Sequence, residues 1–450
     1  MSFPDRRQQH LDLLTDLMAR AKRAGADAAD AIMVQGASLN ISFRLGKLED
    51  VERSEGQDLG IRVLVGRRQA FVSTTDLSSA ALDATVARVV AMAKAAPEDP
   101  YCGLADRDLL AKRWPDLDLR DHVEPTTEDL VARAKAAEEA ALAVKGVTNS
   151  EGAGADWSVG LVALATSEGF AGAYIGSHHG VSASVIAGEG TGMERDYDYA
   201  SVRHLSELAS PEEVGRSAGE KAVARLNPRK MPSQAVPIVF DPRVAGSMLG
   251  HLAGAVTGPA VARGTSFLKD RLHKPVFAPG IQVIDDPHRK RGLRSKPFDG
   301  EGVATQRTVL IDNGELTTWL LDSASARQLK LKSTGHAARG TGGPPSPSTT
   351  NLYLAPGKQS PDEMMADIKH GLYVTEIIGF GVNAVTGDYS RGAAGFWIEN
   401  GELAYPVSEL TIAGNLKDMF ARLTPASDLT FRYGTDSPTV RIEGMTVAGT

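Results

Sequence analysis

The sequence predicts an α+β fold: an N-terminal α+β unit built on an antiparallel meander, a middle α+β unit, and a mostly-β C-terminal domain with glycine-rich loops. Three observations predict it. Apolar residues recur at every second position at 39–45, where the alternation with polar residues is strict, and again at 59–65 and 159–165, which is the period of a half-buried strand. Apolar residues at helical spacing fill separate stretches at 7–24, around 82–93, at 130–144 and at 211–226. Past residue 300, two Asn-Gly turns join apolar runs, as in β-hairpins. The units are expected at 1–96, 126–232 and 233–450, with a proline-punctuated connector at 97–125.

Each element has its own signal. Leu11, Leu14, Met18 and Ala21 define the first helix, and Gly25 stops it. Leu39, Ile41, Phe43 and Leu45 form a strand, and Leu59, Ile61, Val63 and Val65 form another. Gly46-Lys47, Gly56-Gln57 and Gly66-Arg67 are expected as the turns of the meander. Leu82, Val86, Val89 and Ala93 mark the helix that closes the unit. Thr126 with Asp129 suits the start of an alanine-rich helix that Gly146 ends. Val159, Leu161, Ala163 and Ala165 alternate, Ser167-Glu168-Gly169 turns, and 170–186 and 195–203 continue as strands before the helix at 211–226. Val236 to Phe240 is a short strand, after which Asp241-Pro242 caps a helix striped by Val244, Met248, Leu249 and Leu252. Residues 307–321 read as a hairpin, and 335–350 (GHAARGTGGPPSPSTT) as a long mobile loop.

Composition narrows the function. A net charge of −7 argues against an overall nucleic-acid surface. No apolar run approaches the ~20 residues of a membrane span, the first residues hold no signal-peptide core, and the one cysteine, Cys102, fits a reducing compartment. The expected location is the cytoplasm, with no membrane and no direct nucleic acid as partner. His178 and His179 are adjacent on a strand and point to opposite faces, so they do not share a metal. Gly215-Arg216-Ser217-Ala218-Gly219 matches G-x-S-x-G but lies inside a helix, not on the strand-to-helix turn that pattern needs. The basic run 288–296 (HRKRGLRSK) reads either as a solvated loop or as a contact for phosphates or an acidic partner.

The stretch 379–416, GFGVNAVTGDYSRGAAGFWIENGELAYPVSELTIAGNL, is where a binding site is expected. Its glycines let backbone approach backbone or a ligand, and Asn400-Gly401 supplies the positive φ angles of a tight turn. Asp388, Tyr389, Ser390 and Arg391 are the candidate binding or chamber-lining residues. A glycine-rich β corner without a ligand is the other reading of the same composition.

With 258–272 (GPAVARGTSFLKDRL) and 300–321, this stretch closely resembles the TldD/PmbA family of peptidases, once called modulators of DNA gyrase, and within it the PmbA (TldE) branch. The likeness runs more weakly to the N-terminus. It implies that the glycine-rich segment lies close to a peptidase site. Members of the TldD branch are zinc peptidases with His-Glu-x-x-x-His on a helix and a cysteine ligand near the C-terminus. Zinc hydrolysis needs about three protein ligands, an open position for water and a carboxylate base. Counting back from 258–272, that motif falls on 249–254, where Leu249 and Gly254 stand for the histidines and Gly250 for the glutamate. His251 is in the window but matches neither ligand position, no His-Glu pair occurs in the sequence, and 430–450 has no cysteine. The resemblance therefore implies a chain with no catalytic residue and no metal of its own. It would pair with a TldD-like catalytic subunit that holds the zinc, and act on unfolded or short peptides, with a homodimer possible in isolation. Two other readings stay open: a stand-alone metallopeptidase with unrecognised ligands, and a regulatory, gyrase-modulator-like binding protein.

Overall fold

The computed structural model describes residues 3–449. Six antiparallel strands build the first sheet: β1 (Ala28–Arg44), β2 (Lys47–Val65), β3 (Arg68–Thr74), β4 (Val147–Thr166), β5 (Ala171–Ala187) and β6 (Glu194–Val202), in the order β3-β2-β1-β4-β5-β6. The N-terminal meander and the middle unit are thus joined edge to edge by β1 against β4. Helices α1 (Arg7–Arg23), α2 (Ser79–Ala95), α3 (Thr127–Leu142) and α4 (Pro211–Ala224) supply the layer that buries the sheet's apolar residues. Period-two alternation divides the neighbours of β1: Ala31 and Met33 join the helix-side core, while Ile32 joins Leu164, Phe170 and Phe298 in a cluster shared with the C-terminal unit.

Local sequence explains most boundaries. Thr126 and Asp129 form a reciprocal capping box at α3. Gly215 and Gly219 are where α4 meets α3: a Cβ on Gly215 would sit 1.9 Å from the Ala137 carbonyl oxygen. The G-x-S-x-G match is therefore a helix-packing face, with Ser217 donating to Asp198. Gly46 and Gly66 turn the chain as expected, but Gly56 does not. β2 is continuous over 19 residues. Residues 47–56 are exposed on both faces, so no alternation marks them as strand. Instead Gly56 pairs with Gly36, Gly36 with Gly160, and Gly160 with Gly176, a row of glycines across neighbouring strands.

The C-terminal unit starts with β7 (Gln234–Phe240) and α5 (Pro242–Ala255). Strands β8 (Val283–Asp285), β9 (Thr308–Asp312) and β10 (Glu315–Leu316) lead into a small sheet. The hairpin expected at 307–321 is shorter than its pattern, because only Glu315 and Leu316 pair back before Asp322 caps a helix at Ser323–Leu329. Strands β11 (Ala337–Ala338) and β12 (Ser346–Pro347) pair within the segment expected to be a mobile loop. That expectation is corrected: a Cβ on Gly60 would lie 2.3 Å from the Thr341 carbonyl oxygen, and Arg339, whose side chain is 1% exposed, is ion-paired with Asp30. The loop is docked on the first sheet by contacts too distant in sequence to leave a local pattern. β13 (Leu352–Leu354) completes the small sheet's centre. Strands β14 (His370–Ile378), β15 (Asp388–Glu399), β16 (Glu402–Asn415), β17 (Leu423–Pro425), β18 (Thr435–Asp436) and β19 (Val440–Ala448) follow. β16 pairs with both β15 and β19, which closes the ring β16-β15-β14-β7-β19. The apolar face of α5 belongs to one core with residues of the ring and of the small sheet.

Candidate functional site

The site grows from α5. Asp241 caps it, accepting the Arg243 N–H at 2.9 Å, and Tyr373 on β14 donates to the same carboxylate at 2.9 Å. The helix start is thereby fixed to the ring. Ala245, Met248, Leu249, Leu252 and Ala255 are buried, so the apolar stripe expected for this helix is where the core lies. Gly250 and Gly254, one turn apart, face outward with nothing within 4 Å of an added Cβ. The three positions aligned with the zinc motif are thus one core leucine and two stretches of bare backbone. None offers a side-chain donor, so these residues do not fit a zinc ion. Among the described residues no group of three or more His, Cys, Asp and Glu is placed to hold a metal.

β15 carries the other candidate residues, and strand alternation divides them. Asp388 and Ser390 are exposed, while Tyr389 is 2% exposed and Arg391 is half-buried. Asp388 braces the preceding loop: it accepts from Thr386 Oγ1 at 2.6 Å and Asn415 Nδ2 at 3.0 Å, bonds that hold its carboxyl below the ordinary range. Ser390 meets that loop through its backbone, donating to the Gly381 carbonyl at 2.7 Å. Gly381 is required there, since a Cβ would stand 1.9 Å from the Ser390 carbonyl oxygen. Phe380, Val382, Asn383, Asp388, Tyr389 and Ser390 line a shallow cleft of about 600 Å³. At its rim Phe380 is 99% exposed, with Ile378 and Val385 also exposed.

The buried side of β15 meets α5. The Tyr389 ring packs edge-on against His251, with centroids 5.9 Å apart. Tyr389 Oη and His251 Nε2 are both buried, and neither has a hydrogen-bond partner among the described residues. Burial pushes the tyrosine up to about 12, while burial and the Arg391 charge hold the histidine below its usual value. Near neutral pH the pair is therefore an uncharged imidazole and an uncharged phenol beside a guanidinium. Arg391 itself donates to the Ile378 carbonyl at 3.3 Å. The structure brings Tyr389 and Arg391 to the His251 side and leaves Asp388 and Ser390 on the other. His251 is the member the motif comparison passed over, because it aligns with no ligand. Its signal was its place on a helix between two exposed glycines.

Comparison with known proteins agrees with this layout. Models of the PmbA/TldA metallopeptidase family match as domain 1 over 29–93, as the central domain over 120–226 and as the C-terminal domain over 233–449. The chain is 42% identical over 426 residues to metalloprotease PmbA of Escherichia coli O157:H7, covering 94% of this chain and 93% of that one. It is 38% identical over 431 residues to a metalloprotease PmbA homologue of Haemophilus influenzae, covering 95% and 94%. Its fold is similar to that of a protein named as a modulator of DNA gyrase from Bacteroides thetaiotaomicron, with a TM-score of 0.92 and 25% identity over 99% of this chain and 100% of that one.

Proposed function

Because this chain belongs to the PmbA/TldD metallopeptidase family, we propose that it is the non-catalytic, PmbA/TldE-like subunit of a heteromeric peptidase acting on unfolded or short peptides. The observation that carries this reading is the outer face of α5, where Gly250 and Gly254 present backbone in place of metal ligands. A TldD-like partner supplies the zinc site. This chain completes the chamber wall with the His251, Tyr389 and Arg391 group and with the glycine-rich loop in front of β15. An extended peptide is held there through backbone hydrogen bonds, which do not read its sequence closely. The exposed Phe380, Ile378 and Val385 suit a surface that a partner covers.

Co-expression with a TldD-like chain, followed by sizing, metal analysis and a peptide-cleavage assay, tests the proposal. The expected result is a mixed complex with peptidase activity and with zinc in proportion to the partner. Phe380→Asp should weaken assembly by about tenfold or more, a charge on a desolvated rim costing over 1.4 kcal/mol, without changing the melting temperature of the isolated chain. Stoichiometric zinc and peptidase activity in this chain alone would overturn the reading.

A further inference from the structure

The basic run at 288–296 has no part in the chamber just described, yet it lines a groove. Cavities of about 270 and 290 Å³ share Ser201, Arg203, Leu293, Arg432 and Tyr433 in their walls. A third, of about 220 Å³, continues past Tyr199 and Tyr433 to the first turns of α5. In the cavity that holds the run, Arg203, Arg289, Lys290, Arg291 and Arg432 face Glu207 and Asp436. Arg291 is neutralised by Asp118 and Glu207, both at 2.6 Å, and Arg432 reaches Asp198 at 3.3 Å. Asp436 is already occupied, accepting the backbone N–H groups of Arg432, Tyr433 and Gly434. Three cations remain. Among the described residues, Arg203, Arg289 and Lys290 form no ion pair.

Their settings differ in a way that favours an anion. Arg203 donates to the carbonyls of Ser177, Gly292 and Leu293. The glycine row of the first sheet makes room for it, since a Cβ on Gly176 would lie 2.9 Å from its guanidinium. Arg289 lies over the Phe431 ring, 3.3 Å from its centroid, and its guanidinium donates no hydrogen bond among the described residues. Burial lowers both arginines from their ordinary value. Asp286 and Asp436 attract Arg289 from a distance, but neither is ion-paired with it. A cation partly stripped of water, with donors unused and no direct partner, is costly unless something anionic completes it.

We propose that this groove binds an acidic stretch of an extended peptide. Its carboxylates meet Arg289, Lys290 and the field of Arg203, and its intervening side chains lie against Phe431, Tyr433 and Tyr199. Peptide is favoured over nucleic acid because Glu207 and Asp198 stand in the walls of the groove and the whole chain carries −7. Both repel an unbroken run of phosphates, whereas a peptide with spaced charges avoids them. The choice of peptide rests on the subunit reading above; the anion site does not.

Fluorescence anisotropy on the full chain without a partner tests it, with a short labelled peptide alternating Asp and Tyr and a second in which every Asp is Asn. The acidic peptide should bind about tenfold more tightly at low salt, with the gap closing as the Debye length shrinks toward ~5 Å. Arg289→Ala together with Lys290→Ala should remove that preference, and so in part should Lys290→Ala alone, an exposed change that leaves the fold untouched. Equal binding of the two peptides, a preference that survives the double substitution, or tighter binding of a single-stranded oligonucleotide of similar length would overturn the proposal. A preference that behaves as expected beside a mixed complex without peptidase activity would sink the subunit reading and leave the groove standing. An active complex in which the acidic preference is absent would do the reverse.

Discussion

At the scale of single residues, the informative fact is a pair of buried polar atoms with nothing to bond among the described residues. A hydroxyl that makes no hydrogen bond contributes no stability, so its removal should be close to neutral for folding. Tyr389→Phe deletes only Oη, which has no partner among the described residues, and keeps the ring against His251. The melting temperature is expected to stay the same or rise slightly, while peptide cleavage by the mixed complex falls. Arg391→Ala should act more strongly, by about tenfold in kcat/KM, the size of one lost contact near 1.4 kcal/mol. Unchanged cleavage in both variants would remove Tyr389 and Arg391 from the chamber wall. The sequence pointed to β15 as the place, but Asp388 to Arg391 were read as one cluster. Period two divides any four consecutive strand residues between opposite faces, so the division was available from the alternation rule alone. The approach of His251 was not, because a contact between residues 251 and 389 leaves no local trace.

Among the elements, α5 and the β15–β16 hairpin use glycine for opposite purposes. In the hairpin, Gly395 packs so closely that a Cβ would stand 1.9 Å from the Tyr373 carbonyl oxygen, and Asn400 and Gly401 take φ angles of +52° and +88° at the turn. On α5, Gly250 and Gly254 are sterically free. An exposed helical glycine costs roughly 0.5–1 kcal/mol against alanine, so a helix carrying two of them is less stable than its fold requires. Gly254→Ala should therefore stabilise the isolated chain by about that much in denaturant unfolding. If the bare face lies against substrate or partner, the same change should lower the activity or assembly of the mixed complex. Stability gained with function unchanged would make the glycines incidental. Elements of this kind were legible wherever local chemistry decides: the box at Thr126 and Asp129, the Asp241-Pro242 helix start and the Asn-Gly turn all appear where their residues predict. Gly56 and the 335–350 segment were not legible. A two-face-exposed strand loses its alternation, and a docked loop is held by partners hundreds of residues away.

In the whole molecule, the first sheet and the C-terminal unit are joined by buried charge. Asp30, 1% exposed, sits between Arg62 of β2 and Arg339 of the docked loop. Nearby, Glu301 accepts the N–H and hydroxyl of Ser323 at 2.8 Å, and Asp299 accepts backbone N–H groups of Glu301, Val303 and Ala337. The two sets titrate in opposite senses. Burial alone would raise Asp30, but the two guanidiniums hold its carboxyl below the ordinary value. Its contribution is complete above an unfolded pKa of about 4 and is lost only as pH falls through the lower folded value. Burial pushes Glu301 up, and burial with the neighbouring Glu301 charge pushes Asp299 up to about 8. In the folded chain these acids keep protons that the unfolded chain has released, so stability present at acid pH is lost as pH rises from about 4 toward 8. Asp30 adds no slope in that window, so these two acids contribute a decline in unfolding free energy between about pH 5 and pH 8. Below about pH 6.5 it is opposed by His179, His251 and His288, whose values burial lowers, so that their contribution makes stability rise with pH. Glu301→Gln keeps an amide oxygen for Ser323 and removes the titrating carboxyl. It should flatten the decline, measured by urea unfolding at successive pH values, while Asp30→Asn, which strands two buried cations, should cost about 3–5 kcal/mol across the same range. A slope unaltered by Glu301→Gln would place the pH dependence elsewhere and leave Asp30 and its two arginines as the only part of the joint that charge holds together.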